Sequence, residues 1–142
     1  MQVFIIGTPL ETVKLLDPRR RNKQVIEVKQ IKKAILGETM AWRNHPCVIQ
    51  YRNHLDWLNY YLRCFEYFLS GDYTLALSAS ILATEITPPF HTPEYFTQMK
   101  RRLFTKDQEY YSYWSDLGTS DINWYWVDNN WRYYCAGKRI KI

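Results

Sequence analysis

Hydrophobic positions recur along the chain with the spacing of helices. Val48, Tyr51, Leu55, Leu58, Leu62, Phe65 and Leu69 follow one another at intervals of three and four. That puts them on one face of a helix, whereas a strand would need them at every second position. Val25, Val28, Ile31 and Ile35 repeat the interval. The polar residues between such runs mark where helices start and stop. Thr8-Pro9, Asp17-Pro18, His45-Pro46 and Thr92-Pro93 each place a side chain able to cap a helix before a proline suited to its first turn. Gly37, Gly71 and Gly118 stand where helices should end. The pattern predicts helices over residues 9–16, 18–36, 46–70, 93–104 and 107–117. TLALSASILATEI (residues 74–86) reads as a further, mostly buried helix ended by Pro88-Pro89. After Gly118, DINWYWVDNNWRYY has no helical period and is expected as short extended pieces wrapping the helices. The expected fold is all-α: one domain spanning 1–142, about five to six helices and an irregular aromatic C-terminal segment.

Composition narrows the class. Of 142 residues, 46% are hydrophobic and only eleven are Pro or Gly, which argues for a packed core and against disorder. Twelve tyrosines against six phenylalanines suggest aromatic surfaces that stay partly wet. No apolar run is long enough to span a bilayer, and MQVFIIG lacks the basic and apolar regions of a signal peptide. Cys47, Cys64 and Cys135 are an odd number without a CxxC pair, so free thiols and a cytoplasmic setting are expected.

Charge adds a partner. The net charge is +5, and eight Lys or Arg lie between Lys14 and Lys33 against two acids, Asp17 and Glu27. Arg132, Lys138, Arg139 and Lys141 close the chain beside Trp131, Tyr133 and Tyr134. Cations interleaved with rings suit a polyanion such as nucleic acid, although a solvated helix face with a basic tail has the same composition. On the predicted basic helix, Arg20, Lys23, Glu27 and Gln30 are spaced three, four and three apart and share a face. Two readings stay open there. Glu27 is either half of an ordinary i,i+4 pair with Lys23, or a carboxylate held in a phosphate-binding surface where it does electrostatic or proton work. His45, His54 and His91 are far apart in sequence and form no metal signature, and no P-loop or nucleophile elbow is present. No metal or cofactor is expected.

At these residues the sequence resembles a known family. LLDPRRRNKQVIEVKQI (Leu15–Ile31) and AWRNHPCVIQYRNHLDWLNYYL (Ala41–Leu62) look like phage-type relatives of the pyrimidine-dimer DNA glycosylases. QMKRRLFTKDQEYYSYW (Gln98–Trp114) and WRYYCAGK (Trp131–Lys138) follow in the same order. The resemblance implies a helical domain with the N-terminal segment passing between helices, encoded by a phage and working in a bacterial host. It implies an enzyme that binds duplex DNA carrying a damaged base and flips a base out of the stack. The chain's α-amine would attack the sugar C1′ to form a Schiff base, with a glutamate assisting cleavage and β-elimination. The matching positions here are Met1, expected to persist because Gln2 is large, and Glu27. Arg20, Lys23, Gln24, Gln30, His45, Trp131, Arg132, Tyr133, Tyr134 and Lys138 are then the candidates for binding nucleic acid, with Gly137 letting the backbone turn close by. The alternative is a non-catalytic pocket for nucleic acid or a small nucleotide, one that sequesters a nucleotide signal of host defence.

Overall fold

The computed structural model of the chain describes residues 1–135 and the backbone of 138–140, in two compact units, Met1–Pro89 and Phe90–Ile142. Gly137 lies outside the described residues, as does the side chain of Lys138.

Five helices build the first unit: α1 (Pro9–Leu15), α2 (Pro18–Ile35), α3 (Pro46–Tyr51), α4 (Leu55–Leu69) and α5 (Tyr73–Glu85). The caps read from sequence are in place. Thr8 and Glu11 form a reciprocal capping box on α1, Asp17 caps α2, and His45 caps α3. Gly37 and Gly71 sit at φ 74° and 84° after α2 and α4. There Glu38 N–H bonds Lys33 C=O and Asp72 N–H bonds Tyr67 C=O, both at 2.9 Å, which closes each helix with a left-handed turn that favours glycine.

The long helix expected over 46–70 is two helices. Arg52 and His54 donate their N–H groups three residues back, to Ile49 and Tyr51, so the α-helical ladder breaks and restarts at Leu55. The hydrophobic period runs through the break because Val48 and Tyr51 still face the same core as Leu58, Leu62 and Phe65. A second ladder, invisible in that stripe, packs beside it. Trp57, Tyr61 and Phe65, spaced by four on α4, have ring centroids 5.0 and 4.4 Å apart, and all three are buried.

Helix α5 departs from expectation. Only Ala76, Ala79, Ser80 and Ala83 are buried, while Leu75, Leu77, Ile81, Leu82 and Ile86 are 42–53% exposed. The small residues recur at three and four and allow close approach to α4. The large ones ring the other side, and a helix apolar all round gives no periodicity to say which face is inside.

The N-terminal strand-like segment is the core of this unit. Val3 to Ile6 are 0–6% exposed although they belong to no helix or sheet. Buried backbone needs partners, and side chains supply them. Phe4 N–H bonds Gln24 Oε1 at 2.9 Å, Ile6 N–H bonds Thr12 Oγ1 at 3.1 Å, and the Tyr61 hydroxyl bonds Phe4 C=O at 2.7 Å. The segment is thus held by α1, α2 and α4.

In the second unit, α6 (Pro93–Lys106) starts at the Thr92 cap. The helix expected over 107–117 is a turn followed by a 3₁₀ helix, Ser112–Leu117. Tyr111 and Trp114 stack at 5.4 Å and 6°, an i,i+3 overlap that three residues per turn permits. The segment expected to be irregular is an antiparallel meander: β1 (Ile122–Val127), β2 (Asn130–Cys135) and β3 (Lys138–Ile140) in the order β1-β2-β3. Asp128 and Asn129 both have positive φ, 53° and 59°, the geometry of a two-residue hairpin turn. Arg102 anchors the sheet to α6, bonding Asn123 Oδ1 at 3.0 Å and Ser120 C=O at 2.8 Å. The described residues remain predominantly helical.

Candidate functional site

The site is built where the N-terminal segment runs along α2. Gln24 faces the core at 1% exposure. Its Nε2 donates to Gln2 C=O at 2.9 Å and to Glu27 Oε2 at 3.1 Å. Its Oε1 accepts from Phe4 N–H and from the Tyr61 hydroxyl, each at 2.9 Å. Glu27, one turn further along α2, keeps its side chain only 15% exposed, with Lys23 Nζ 3.8 Å from Oε1. Lys23 itself is 65% exposed, so this pair contributes little to stability. Met1, at the head of the buried segment, is half-buried.

Two neighbours report on the electrostatics. The Cys47 thiol is pushed up to about 12 by complete burial, pulled back by the N-terminal ammonium and the Val3 backbone bond, and raised again by Glu27. It therefore stays protonated, and it feels both the amine and the carboxylate. His45 is lowered from its ordinary value by burial and then by the N-terminal charge. Its Nδ1 accepts from Cys47 N–H at 3.1 Å, so the neutral ring carries its proton on Nε2. Trp42 packs edge-on to His45 at 5.9 Å, is 54% exposed, and holds a backbone φ of 64° that is uncommon outside glycine. Amine, carboxylate, imidazole and exposed indole thus belong to one neighbourhood.

The other sequence candidates divide. Arg20 is turned to its own helix start, with Nη1 3.1 Å from Asp17 Oδ1. Gln30 is exposed on α2. Trp131, Arg132, Tyr133 and Tyr134 lie on β2 in the second unit. Register pairs Trp126 with Trp131 and Trp124 with Tyr133, so these rings share one face of the sheet. Tyr134 and Arg132 alternate to the other face. Trp131 meets Tyr95 of α6 at 5.5 Å as well as Trp124 and Trp126, so it is partly committed to packing.

Sequence reasoning missed Tyr61 and Trp42. Tyr61 falls outside the stripe of three-and-four spacings, and only the Trp57–Tyr61–Phe65 repeat marked it. Trp42 stood inside the W-x-NHP stretch without a role.

Residues 1–66 match a family model described as pyrimidine dimer DNA glycosylase. The match ends within α4 and contains Met1, Gln24, Glu27, Trp42, His45 and Tyr61, so the resemblance holds over the part of the chain that carries this site. The stretches 98–114 and 131–138 lie beyond it. No curated protein and no solved structure matches the chain. Among the described residues, no helix is long and apolar enough to cross a membrane.

Proposed function

On the premise that residues 1–66 are a pyrimidine-dimer-glycosylase segment, we propose that the protein is a DNA glycosylase and AP lyase acting on a damaged or modified base in duplex DNA. Its working groups are the Met1 α-amine and the Glu27 carboxylate. The observation that carries this reading is that one amide nitrogen, Gln24 Nε2, bonds both Gln2 C=O at 2.9 Å and Glu27 Oε2 at 3.1 Å, which holds the chain one residue after the amine beside the carboxylate.

α-Amines as a class keep a useful unprotonated fraction at neutral pH, so the amine is a nucleophile without a separate activating base. Its lone pair attacks C1′ as the glycosidic bond breaks, and the base leaves with the bonding electrons. The nitrogen gives up one proton to balance the departed base and the second to the ring oxygen as the sugar opens, which leaves the C1′=N imine. Removal of a C2′ proton then expels the 3′ phosphate, and water releases the amine. Glu27 stabilises the positive charge that develops at C1′ and accepts the C2′ proton, while its low exposure strengthens both effects. Trp42 offers an exposed indole against which a nucleobase can stack beside the reacting sugar.

Borohydride trapping on a duplex with one abasic site tests the reading. The expected product is a covalent complex whose mass is chain plus DNA, lost when Met1 is N-acetylated. Tight DNA or nucleotide binding without any trapped adduct would assign the protein a non-catalytic binding role instead.

A further inference from the structure

We propose that Gln24 is a positioning residue that fixes the spacing between the N-terminal amine and Glu27; this deepens the amine–glutamate reading and rests on it. The sequence pattern offered Gln24 as a contact to nucleic acid, but at 1% exposure its amide faces inward.

The amide has two donor and two acceptor positions. Both donor positions are taken, by Gln2 C=O and Glu27 Oε2, while Oε1 accepts from Phe4 N–H and shares the single Tyr61 hydroxyl proton with Phe4 C=O. The orientation is therefore fixed. A flipped amide would set Oε1 against a carbonyl and a carboxylate, and Nε2 against an N–H. Gln2 C=O and Glu27 Oε2 share one nitrogen at 2.9 and 3.1 Å, so the chain one residue after the amine is tied to the carboxylate. Tyr61 braces the tie from α4, with its hydroxyl between Phe4 C=O and Gln24 Oε1. A nucleophile on a free chain end would lose the orientation that makes attack efficient, and misplacement by about 1 Å can cost about 100-fold.

Three variants of the full chain separate positioning from plain stability. Gln24→Met keeps the shape and removes every bond. Gln24→Glu keeps the shape and sets a second carboxylate against Glu27. Tyr61→Phe leaves the amide in place and removes only its brace. Each is checked for folding by thermal melt, for imine formation in single turnover on abasic-site DNA, and for affinity on a duplex with a tetrahydrofuran site, which forms no imine. Gln24→Met should slow trapping by about 100-fold while affinity stays within about threefold. Tyr61→Phe should fall between Gln24→Met and the parent. In Gln24→Glu two carboxylates share a proton, so the acid limb of the rate profile should move up by about one pH unit. Parent-like trapping by Gln24→Met, or a parallel loss of rate and affinity, would overturn the proposal.

A parent protein that traps nothing would defeat the amine–glutamate reading and not the tie. The tie is then read without substrate. In Gln24→Met, Phe4 amide exchange should quicken by about 100-fold. In Gln24→Glu, the Glu27 carboxyl carbon should titrate about one unit higher than in the parent. No change in either would dismiss the tie as well.

Discussion

His45 links the site to pH. It caps α3 through Nδ1, and that bond exists only while the ring nitrogen is unprotonated. Burial and the N-terminal charge lower it from 6.5, and burial also lowers His54. A histidine lowered in the folded state binds its proton more readily when unfolded. Stability is therefore full above the unfolded value of 6.5 and declines as pH falls from there through the folded value. Melting temperature should drop as pH is taken below about 6.5, and His45→Asn, which retains a capping acceptor, should flatten that drop. A drop unchanged in His45→Asn would shift the effect to His54. Glu27→Gln probes the chemistry instead. It should cut trapping by about 100- to 10,000-fold and leave duplex affinity nearly unchanged. At this scale, chemistry was readable wherever it was local. The His45 cap and the Lys23–Glu27 pair lie within one turn and follow from spacing. The bond from Gln24 to Tyr61 spans 37 positions between uncharged side chains, and no periodicity announces it.

Helices with one polar and one apolar face were legible as elements, and those without were not. Proline after a cap located the starts of α1, α2, α3 and α6 to the residue. Helix α5 was found but its buried face was not, since Leu, Ile and Ala surround it. Its packing against α4 predicts an asymmetry. Ala79→Leu, at 4% exposure, should overpack the contact and cost about 1–3 kcal/mol. Leu77→Lys, on the open side, should change stability by less than about 0.5 kcal/mol. Chemical denaturation of the two variants tests this, and equal costs would mean that the open face is covered in solution. The C-terminal hairpin was readable in principle. Alternating rings flank Asp128-Asn129, a pair that tolerates positive φ at both positions. A search for helical period discards that signal. Asn129→Ala should destabilise the hairpin by about 1–2 kcal/mol, because the left-handed geometry penalises a Cβ that no local hydrogen bond repays.

Charge is a property of the whole molecule, and the structure changes how it should be counted. The sequence shows +5 overall and a dense run of cations on α2. Two of these serve the fold. Arg20 holds Asp17 at the helix start, and Arg21 donates to Lys14 C=O at 2.7 Å while lying over Phe68 at 5.4 Å. Lys29 reaches toward Glu66 at 3.8 Å, a solvent-exposed pair that phosphate can displace. Under the proposed function, Arg19, Lys23, Lys29, Lys32 and Lys33 are the cations that this helix offers to phosphate. About five neutralised phosphates give a slope near −4.5 in log affinity against log salt, a fall of about 500-fold between 50 and 200 mM. Lys23→Gln should reduce the slope by about one on damaged and undamaged duplexes alike. Arg21→Gln should lower melting temperature and leave the slope unchanged, because its guanidinium is bound to the protein rather than to the ligand. A slope near −6.3 in the parent, reduced by Arg21→Gln, would mean that every cation of α2 reaches DNA and that Arg21 leaves Lys14 and Phe68 when the duplex binds.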